Sequence, residues 1–295
     1  MKNGFFIIDA HCHIYPEKIA ARAVQGTDTF YDTRAHGLGV AENLILMGKK
    51  AGISAFVVQS VATSPKQVSS INHFIAETVG KYPDTLWGLG TLHPDSDDMK
   101  RDVEEIVSLG LHGVKLHPDI QRFRVDEKRH FEMYRLCEEY RLPILIHAGD
   151  KRYNNSNPDN LLPVLSAFPS LTVVAAHMGG WSVWDEAAKK LARADNLYVD
   201  SSSSIMTIEK DEVLPGTQYL TPRKAREYVE TFGTDRVLFG TDYPMWSPKA
   251  EADTFLSLCF TDEEYKKMFS ENAKKAFRKE YFKDGVIKSD AETVY

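Results

Sequence analysis

The chain has 295 residues, of which 43% are hydrophobic and 26% are charged, as in an ordinary globular protein. Its 36 basic and 42 acidic residues give a formal charge of −6, which provides no electrostatic attraction to nucleic acids or anionic membranes. No apolar run approaches the roughly 20 residues that a membrane-spanning helix needs. We therefore expect neither a nucleic-acid partner nor a membrane anchor.

The N-terminus and the cysteines indicate the compartment. The apolar start of the chain stops at Asp9, too early for a signal-peptide core of about 7–15 residues. The three cysteines, Cys12, Cys137 and Cys259, are scattered and define neither a disulfide framework nor a thiolate zinc cluster. We therefore predict a cytoplasmic protein with reduced thiols.

Eight apolar, β-prone segments recur along the chain, and several are almost continuously apolar, which is typical of parallel strands covered on both faces. The predicted strands are Phe5–Ala10, Phe56–Ser60, Leu86–Leu92, Gly113–His117, Pro143–His147, Thr172–His177, Leu197–Asp200 and Val237–Asp242. Amphipathic segments with helix-start signals lie between them. Two helices are predicted after Ser64 and after Ser96, and further helices fit near Val40–Ala51, Glu127–Tyr140, Pro158–Phe168, Trp181–Arg193 and Pro222–Phe232.

This alternation predicts an α/β protein of the (β/α)8 TIM-barrel type, with a doubly wound open sheet as the alternative. No linker divides the chain, so we predict a single domain over residues 1–295, with a closing helix at Thr261–Phe282 and a polar tail from about residue 283. Two long intervals, Ile14–Gly39 and Ser202–Leu220, are expected to be loops at the C-terminal face, where lids and substrate contacts lie.

Six of the ten histidines end predicted strands, namely His11, His13, His93, His117, His147 and His177. Because the C-terminal ends of barrel strands converge on one mouth, we expect these side chains to meet. His11 and His13 are two residues apart and share one face of the first strand, whereas Cys12 faces the other side.

Two adjacent imidazoles suit a divalent cation of the zinc type. His147 and Asp242 would complete a set of three nitrogens and one carboxylate, with room for a water molecule that the metal converts into a nucleophile. The alternative is that each residue is an ordinary polar group. It would have to explain separately why a histidine or aspartate stands at each of these strand ends. We therefore predict one divalent metal ion bound by His11, His13, His147 and Asp242, with zinc favoured over manganese, iron or cobalt.

Five segments together resemble the amidohydrolase superfamily, specifically its amidohydrolase-2 branch, which includes the aminocarboxymuconate-semialdehyde decarboxylase-like enzymes. They are Ile8–His13, Gly113–Pro118, Ile146–Gly149, Ala176–Gly180 and Leu238–Pro244. The resemblance spans residues 7 to about 280. It implies His11, His13, His147 and Asp242 as metal ligands, His177 as the catalytic histidine and a homodimer as the assembly.

The resemblance also raises a question about Lys115, because binuclear members of the superfamily carry a carboxylated lysine at the end of the fourth strand. Lys115 lies two residues deeper than His117, so we favour one metal ion and an internal lysine that pairs with a carboxylate or lies near the metal site. Substrate contacts are predicted from residues near the mouth, namely His117, His93, Arg34, Arg152, Trp181 and Trp246.

Three functions fit this pattern. The first is a hydrolase of a small amide, ester or lactone, in which Asp242 takes a proton from metal-bound water and His177 stabilises the oxyanion. The second is a non-oxidative decarboxylase of a small aromatic or muconate-like acid, in which His177 handles a proton. The third is a structural metal site, which the available His177 disfavours because structural zinc sites are closed. We predict the hydrolase, with the decarboxylase as the alternative.

Overall fold

The computed structural model describes residues 2–207, 210 and 219–277. Its parallel strands are β1 Ile8–His13, β2 Ala55–Gln59, β3 Leu86–Gly88, β4 Gly90–Thr91, β5 Val114–Leu116, β6 Ile144–Ile146, β7 Val173–Ala175, β8 Leu197–Asp200 and β9 Val237–Leu238. Each strand pairs with the next one along the chain, except that Leu89 interrupts the third barrel strand between β3 and β4. Backbone hydrogen bonds from Ala10 to Phe239 and from Asp242 to His11 close β9 onto β1. The predicted (β/α)8 barrel is thus confirmed.

Helices alternate with the strands and cover the outside of the barrel. They are Glu17–Tyr31, Ala41–Ala51, Val68–Lys81, Met99–Ser108, Pro118–Gln121, Phe131–Glu139, Pro158–Ala167, Trp184–Leu191, Pro222–Phe232, Pro248–Leu256, Asp262–Lys266 and Asn272–Ala276, with 3-10 turns at Pro65–Gln67 and Lys128–His130 and a π-helical turn at Lys267–Glu271. None of the helices in the described part of the chain is both long and apolar enough to cross a membrane.

Buried side chains form two layers. Ile8, Ala10, Leu145 and Val174 belong to a small cluster inside the barrel, while Cys12 belongs to the larger layer between strands and helices. Alternation along a regular strand would then point His11 and His13 outward, because they differ in parity from Ile8 and Ala10. A register irregularity between Asp9 and Cys12 corrects this, since a bulge shifts the side-chain alternation by one residue. Both histidines therefore face the cavity at the C-terminal end of the barrel.

Three predicted segments differ from the structure. The interval Ile14–Gly39 is not a loop throughout, because Glu17–Tyr31 forms a helix that ends at Asp32 in the left-handed conformation. Only part of the second predicted loop, Ser202–Leu220, lies within the described residues. The closing helical segment begins at Asp262 and ends at Ala276, whereas residues 278–282 of the predicted helix and the polar tail from 283 lie outside the described residues.

Candidate functional site

A cavity of about 750 Å³ opens at the C-terminal end of the barrel, within the size range of small-molecule sites. The residues discussed from the sequence that line it are His11, His13, Lys115, His117, His147, His177, Trp181, Asp242 and Trp246. The strand ends therefore bring together side chains that are up to 235 residues apart in the sequence (His11 and Trp246, a separation of 246 − 11).

Three potential ligand atoms converge on the floor of this cavity. His11 Nε2 and His13 Nε2 are 3.2 Å apart, and Asp242 Oδ1 lies 3.4 Å from the first and 3.6 Å from the second. Burial, with the nearby charge of Lys115, lowers the pKa of His13 to about 3 and holds the pKa of His11 well below its usual range. We refer to His11, His13 and Asp242 as the metal group, because neutral imidazoles and a carboxylate are what a divalent ion requires.

A buried carboxylate fixes the orientation of His11. Asp200 Oδ2 lies 2.9 Å from His11 Nδ1 and accepts its hydrogen bond, so the lone pair of the ring is on Nε2, which faces the cavity. A carboxylate behind a histidine in this way fixes the tautomer and makes the imidazole a better ligand. The donor set therefore fits a divalent metal ion, although it does not select zinc over manganese, iron or cobalt.

Asp242 is held ionised at the edge of the barrel. Burial alone would raise its pKa, but electrostatic interactions with His11, His177 and His13 and a hydrogen bond from Ser203 Oγ hold that pKa well below the usual range. Ser203 Oγ lies 2.6 Å from Asp242 Oδ2 and accepts a hydrogen bond from Trp246. The backbones of Asp242 and His177 are both left-handed, with φ of 62° and 60°, a conformation that non-glycine residues adopt mainly where the surrounding structure imposes it.

His177 and His147 form a directed hydrogen-bond chain. His177 Nδ1 lies 3.0 Å from the carbonyl oxygen of Ser202, which can only accept, so the proton resides on Nδ1. His177 Nε2 then accepts from His147 Nδ1 at 2.9 Å. Burial lowers the pKa of His177 to about 4, so its ring is neutral at pH 7.

The structure does not place His147 with the metal group. Its ring stacks on that of His117, with centroids 4.0 Å apart and planes 8° apart. Its Nε2 atom lies 3.4 Å from Asp119 Oδ2 and has no hydrogen-bond partner among the described residues. His117, Asp119 and His147 are close enough to form a second candidate group, but parallel stacked rings direct their in-plane lone pairs side by side instead of toward one ion.

Lys115 lies on the cavity floor with only 1% of its surface exposed. Its ammonium is 2.9 Å from His11 Nε2, and it forms no hydrogen bond to a carboxylate among the described residues. Burial lowers its pKa to about 8, partly offset by the charges of Asp242 and Asp200. The sequence left two positions open for this lysine, paired with a carboxylate or near the metal site. In the structure it lies near the predicted metal site.

Three of the predicted substrate contacts do not line the cavity. Arg34 is exposed, and the Nδ1 atom of His93 accepts a hydrogen bond from the backbone of Asp95. Arg152 is paired with Asp150, its guanidinium 2.7 Å from Oδ2, and packs over the rings of Tyr31 and Trp181. We therefore do not carry these three residues into the proposed site.

The helix Glu17–Tyr31, hereafter the roof helix, forms a wall that the sequence did not predict as a helix. Its cavity-facing residues recur at helical spacing, namely Ile19, Arg22, Ala23, Gly26, Thr27 and Phe30. Tyr31, at its C-terminal end, connects the roof helix to the floor, because its hydroxyl lies 2.8 Å from His117 Nε2.

Sequence reasoning also missed the carboxylates behind the histidines, Asp119 and Asp200. Asp200 carried a usable signal, since it is an acidic residue at the end of a predicted strand, like Asp242. Asp119 carried none, because it follows the strand on a short helical turn at Pro118–Gln121.

The closed parallel barrel and the His-x-His metal group define a TIM-barrel protein with a candidate metal centre. The family model described as amidohydrolase matches residues 8–279, so the chain belongs to the amidohydrolase family, and the predicted resemblance is confirmed.

Three solved structures share this fold. An uncharacterized TIM-barrel protein from Bordetella bronchiseptica is 24% identical with a TM-score of 0.72, over 93% of this chain and 99% of that one. The 5-carboxyvanillate decarboxylase of Sphingomonas paucimobilis is 15% identical with a TM-score of 0.71, over 93% and 99%. A dihydroxybenzoic acid decarboxylase from Polaromonas, solved with manganese and the inhibitor 2-nitroresorcinol, is 16% identical with a TM-score of 0.68, over 93% and 97%.

Proposed function

We propose that the protein is a metal-dependent, non-oxidative decarboxylase of a small aromatic carboxylic acid. The cavity carries this proposal: its floor combines the metal group with the ammonium of Lys115, and its walls include Phe30, Trp181 and Trp246. A cationic floor suits a carboxylate, and flat apolar walls suit an aromatic ring. Two of the three solved structures described above are decarboxylases, which supports this choice over the hydrolase that the sequence favoured.

His11, His13 and Asp242 would hold the metal ion, and His147 stays the predicted third imidazole ligand. A bound divalent ion would supply a fixed positive charge that orients the substrate and withdraws electron density from it. Zinc and manganese both fit this donor set, so the proposal is for one divalent ion without a choice between them.

The reaction breaks the bond between the ring carbon and the carboxylate, releases CO2 and places a proton on that ring carbon. That proton comes from solvent, and we assign its transfer to His177: the neutral ring, which lines the cavity, takes up the solvent proton on Nε2, in place of the hydrogen bond that this atom accepts from His147, and passes it to the ring carbon. Asp242 is ionised in the free protein, so it has no proton to donate and acts through its negative charge. Trp181 and Trp246 would hold the ring between them and exclude water.

Product analysis tests this proposal. The metal-loaded protein is incubated in D2O with a panel of hydroxylated benzoic acids, and CO2 and ring deuterium are measured. We expect CO2 release with one deuterium on the carbon that lost the carboxylate. If a matching panel of esters, lactones and amides is cleaved with incorporation of oxygen from water, and no acid releases CO2, the hydrolase is correct and the decarboxylase is wrong.

A further inference from the structure

The ammonium of Lys115 has more hydrogen-bond donors than it has acceptors among the described residues. It has three N–H donors, and its only hydrogen bond among the described residues is to His11 Nε2 at 2.9 Å. The side chain is buried on the floor of the cavity, so bulk water does not surround it. The remaining donors are available to whatever occupies the cavity.

The same nitrogen of His11 is the one that a metal ion needs. His11 Nδ1 holds a proton for Asp200, which leaves Nε2 as the only lone pair of this ring. One lone pair cannot accept a hydrogen bond from Lys115 and coordinate a metal ion at the same time. Metal binding therefore removes the only hydrogen bond that Lys115 forms within the described structure.

Neither of the nearby carboxylates is hydrogen-bonded to Lys115 among the described residues, and each accepts hydrogen bonds from other groups. Asp200 Oδ1 accepts hydrogen bonds from the backbone of His177 and from Ser202, and its Oδ2 atom accepts from His11. Asp242 Oδ1 belongs to the metal group, and its Oδ2 atom accepts from Ser203. A buried ammonium without an acceptor is costly, so an acceptor has to come from the cavity.

We propose that Lys115 binds the anionic group of the substrate in the metal-loaded protein, and that in the metal-free protein its ammonium competes with the metal ion for His11. This inference rests on the proposed function and narrows its substrates to compounds that are anionic at the reacting end. The carboxylate would lie between the metal group and Lys115, where both positive charges contact it. Neutral amides and esters lack the charge that this position matches.

Two binding measurements on Lys115→Met test the inference without relying on turnover. The first is Zn²⁺ affinity of the metal-free protein, measured by competition with a chromogenic chelator. The second is the affinity of the metal-loaded protein for benzoate and for neutral benzamide, measured by calorimetry. Lys66→Met, which removes an exposed lysine outside the cavity floor, is the matched control.

The expected result is a pair of opposite changes. In Lys115→Met, Zn²⁺ binds about tenfold more tightly, because a competing positive charge is gone. Benzoate binds about 10- to 100-fold more weakly, because a charged hydrogen bond is lost, while benzamide affinity is unchanged. Lys66→Met changes none of the three. If Lys115 had a purely structural role, its substitution would weaken the binding of both Zn²⁺ and benzoate. That outcome would overturn the inference, and so would an unchanged affinity for benzoate.

Two further results separate this inference from the proposed function. If benzoate binding depends on Lys115 but no acid in the panel releases CO2, the anion-binding role of Lys115 is supported and the decarboxylase activity is contradicted. If Lys115→Met releases CO2 with the kcat/KM of the wild type, the decarboxylase activity is supported and the anion-binding role of Lys115 is contradicted. If Lys115→Met does not fold, Lys115→Gln replaces it, because the neutral amide fills a similar volume and retains a polar end.

Discussion

The Oδ2 atom of Asp119 and the Nε2 atom of His147 lie 3.4 Å apart, and neither has a hydrogen-bond partner among the described residues. Because His147 Nδ1 donates to His177, the Nε2 atom carries a lone pair. Two buried acceptors therefore lie next to each other without a hydrogen between them. This arrangement destabilises the metal-free protein locally, since unsatisfied buried polar atoms lose their hydration.

Asp119→Asn is expected to stabilise the metal-free protein by about 1 kcal/mol, because the amide nitrogen can donate to His147 while the amide oxygen accepts from Asn155. Urea denaturation measures the free energy of unfolding. Asp195→Asn, a change of the same type at an exposed position, serves as the control. A loss of stability in Asp119→Asn would show that the proton assignment along His147 and His177 is wrong.

Asp200→Asn is expected to lower metal affinity by about 10- to 100-fold, because the carboxylate that fixes the tautomer of His11 becomes a neutral amide. Competition with a chromogenic chelator gives the dissociation constant, with Asp195→Asn again as the control. Unchanged metal affinity would mean that His11 does not depend on Asp200 for its orientation.

His177→Asn and His11→Ala should separate metal binding from catalysis. His177→Asn should keep its metal content near that of the wild type and lower kcat by about 10²- to 10⁴-fold, as expected for loss of a proton-transfer group. His11→Ala should lose the metal. Elemental analysis and CO2 release give the two readouts. Equal metal loss in both variants would contradict the assignment of His177 as a proton-handling residue.

The metal-free protein should become more stable as the pH rises from about 4 to about 6.5. The pKa of His177 is lowered to about 4 and that of His13 to about 3, from 6.5, so in this range the unfolded chain binds protons that the folded protein does not. His11 acts in the same direction. His117 does so as well, because burial holds its pKa well below the usual range. Asp9 opposes these four histidines, since burial raises its pKa to about 7 from 3.8, but it is one group against four.

Urea denaturation of the metal-free protein at pH 4.5 and 6.5 measures this dependence. In His177→Asn the slope of stability against pH should decrease by about one proton, because one of the four buried histidines is removed. A stability that falls with rising pH would reverse the sign of the expected effect and show that these imidazoles are protonated in the folded protein.

Ala23→Phe on the roof helix should weaken substrate binding while leaving metal affinity unchanged. Ala23 lines the cavity, so the larger ring takes up space that the substrate needs. An increase of about tenfold or more in KM for the best aromatic acid is expected, which corresponds to a loss of one or two kcal/mol of binding. Ala21→Phe, on the exposed side of the same helix, is the matched control, and equal effects of the two would contradict the position of the roof helix.

The fold was accessible from the sequence because its strands are buried on both faces and therefore read as continuous apolar runs. The first strand was the least accurate: it was predicted at Phe5–Ala10 and is found at Ile8–His13. Its last residues are polar, and the bulge after Asp9 breaks the alternation that would reveal them as a strand. The shared face of His11 and His13 was predicted nevertheless, because both residues follow the shift in alternation and residues two apart on a strand share a face.

The roof helix was missed because its pattern is weak. Of its 15 residues only Ala20 is buried, so there is no apolar stripe for the periodicity to show. Its inner face contacts a cavity rather than a packed core, which allows small and polar residues such as Gly26 and Thr27. The position of His147 beside His117 and Asp119 could not be predicted from the sequence either. A residue at the C-terminal end of a strand is expected at the C-terminal face of the barrel, but its position in the sequence does not predict which side chains it contacts there.

The roof helix has a consequence for how this family member could change its substrate. The barrel strands carry the metal group, whereas one face of a single helix outside the strands forms much of the opposite wall. Selection for a new ligand can therefore act on a contiguous stretch of 15 residues without disturbing the strands. Grafting this segment between relatives is therefore a direct way to exchange ligand preference while the metal group on the strands stays unchanged.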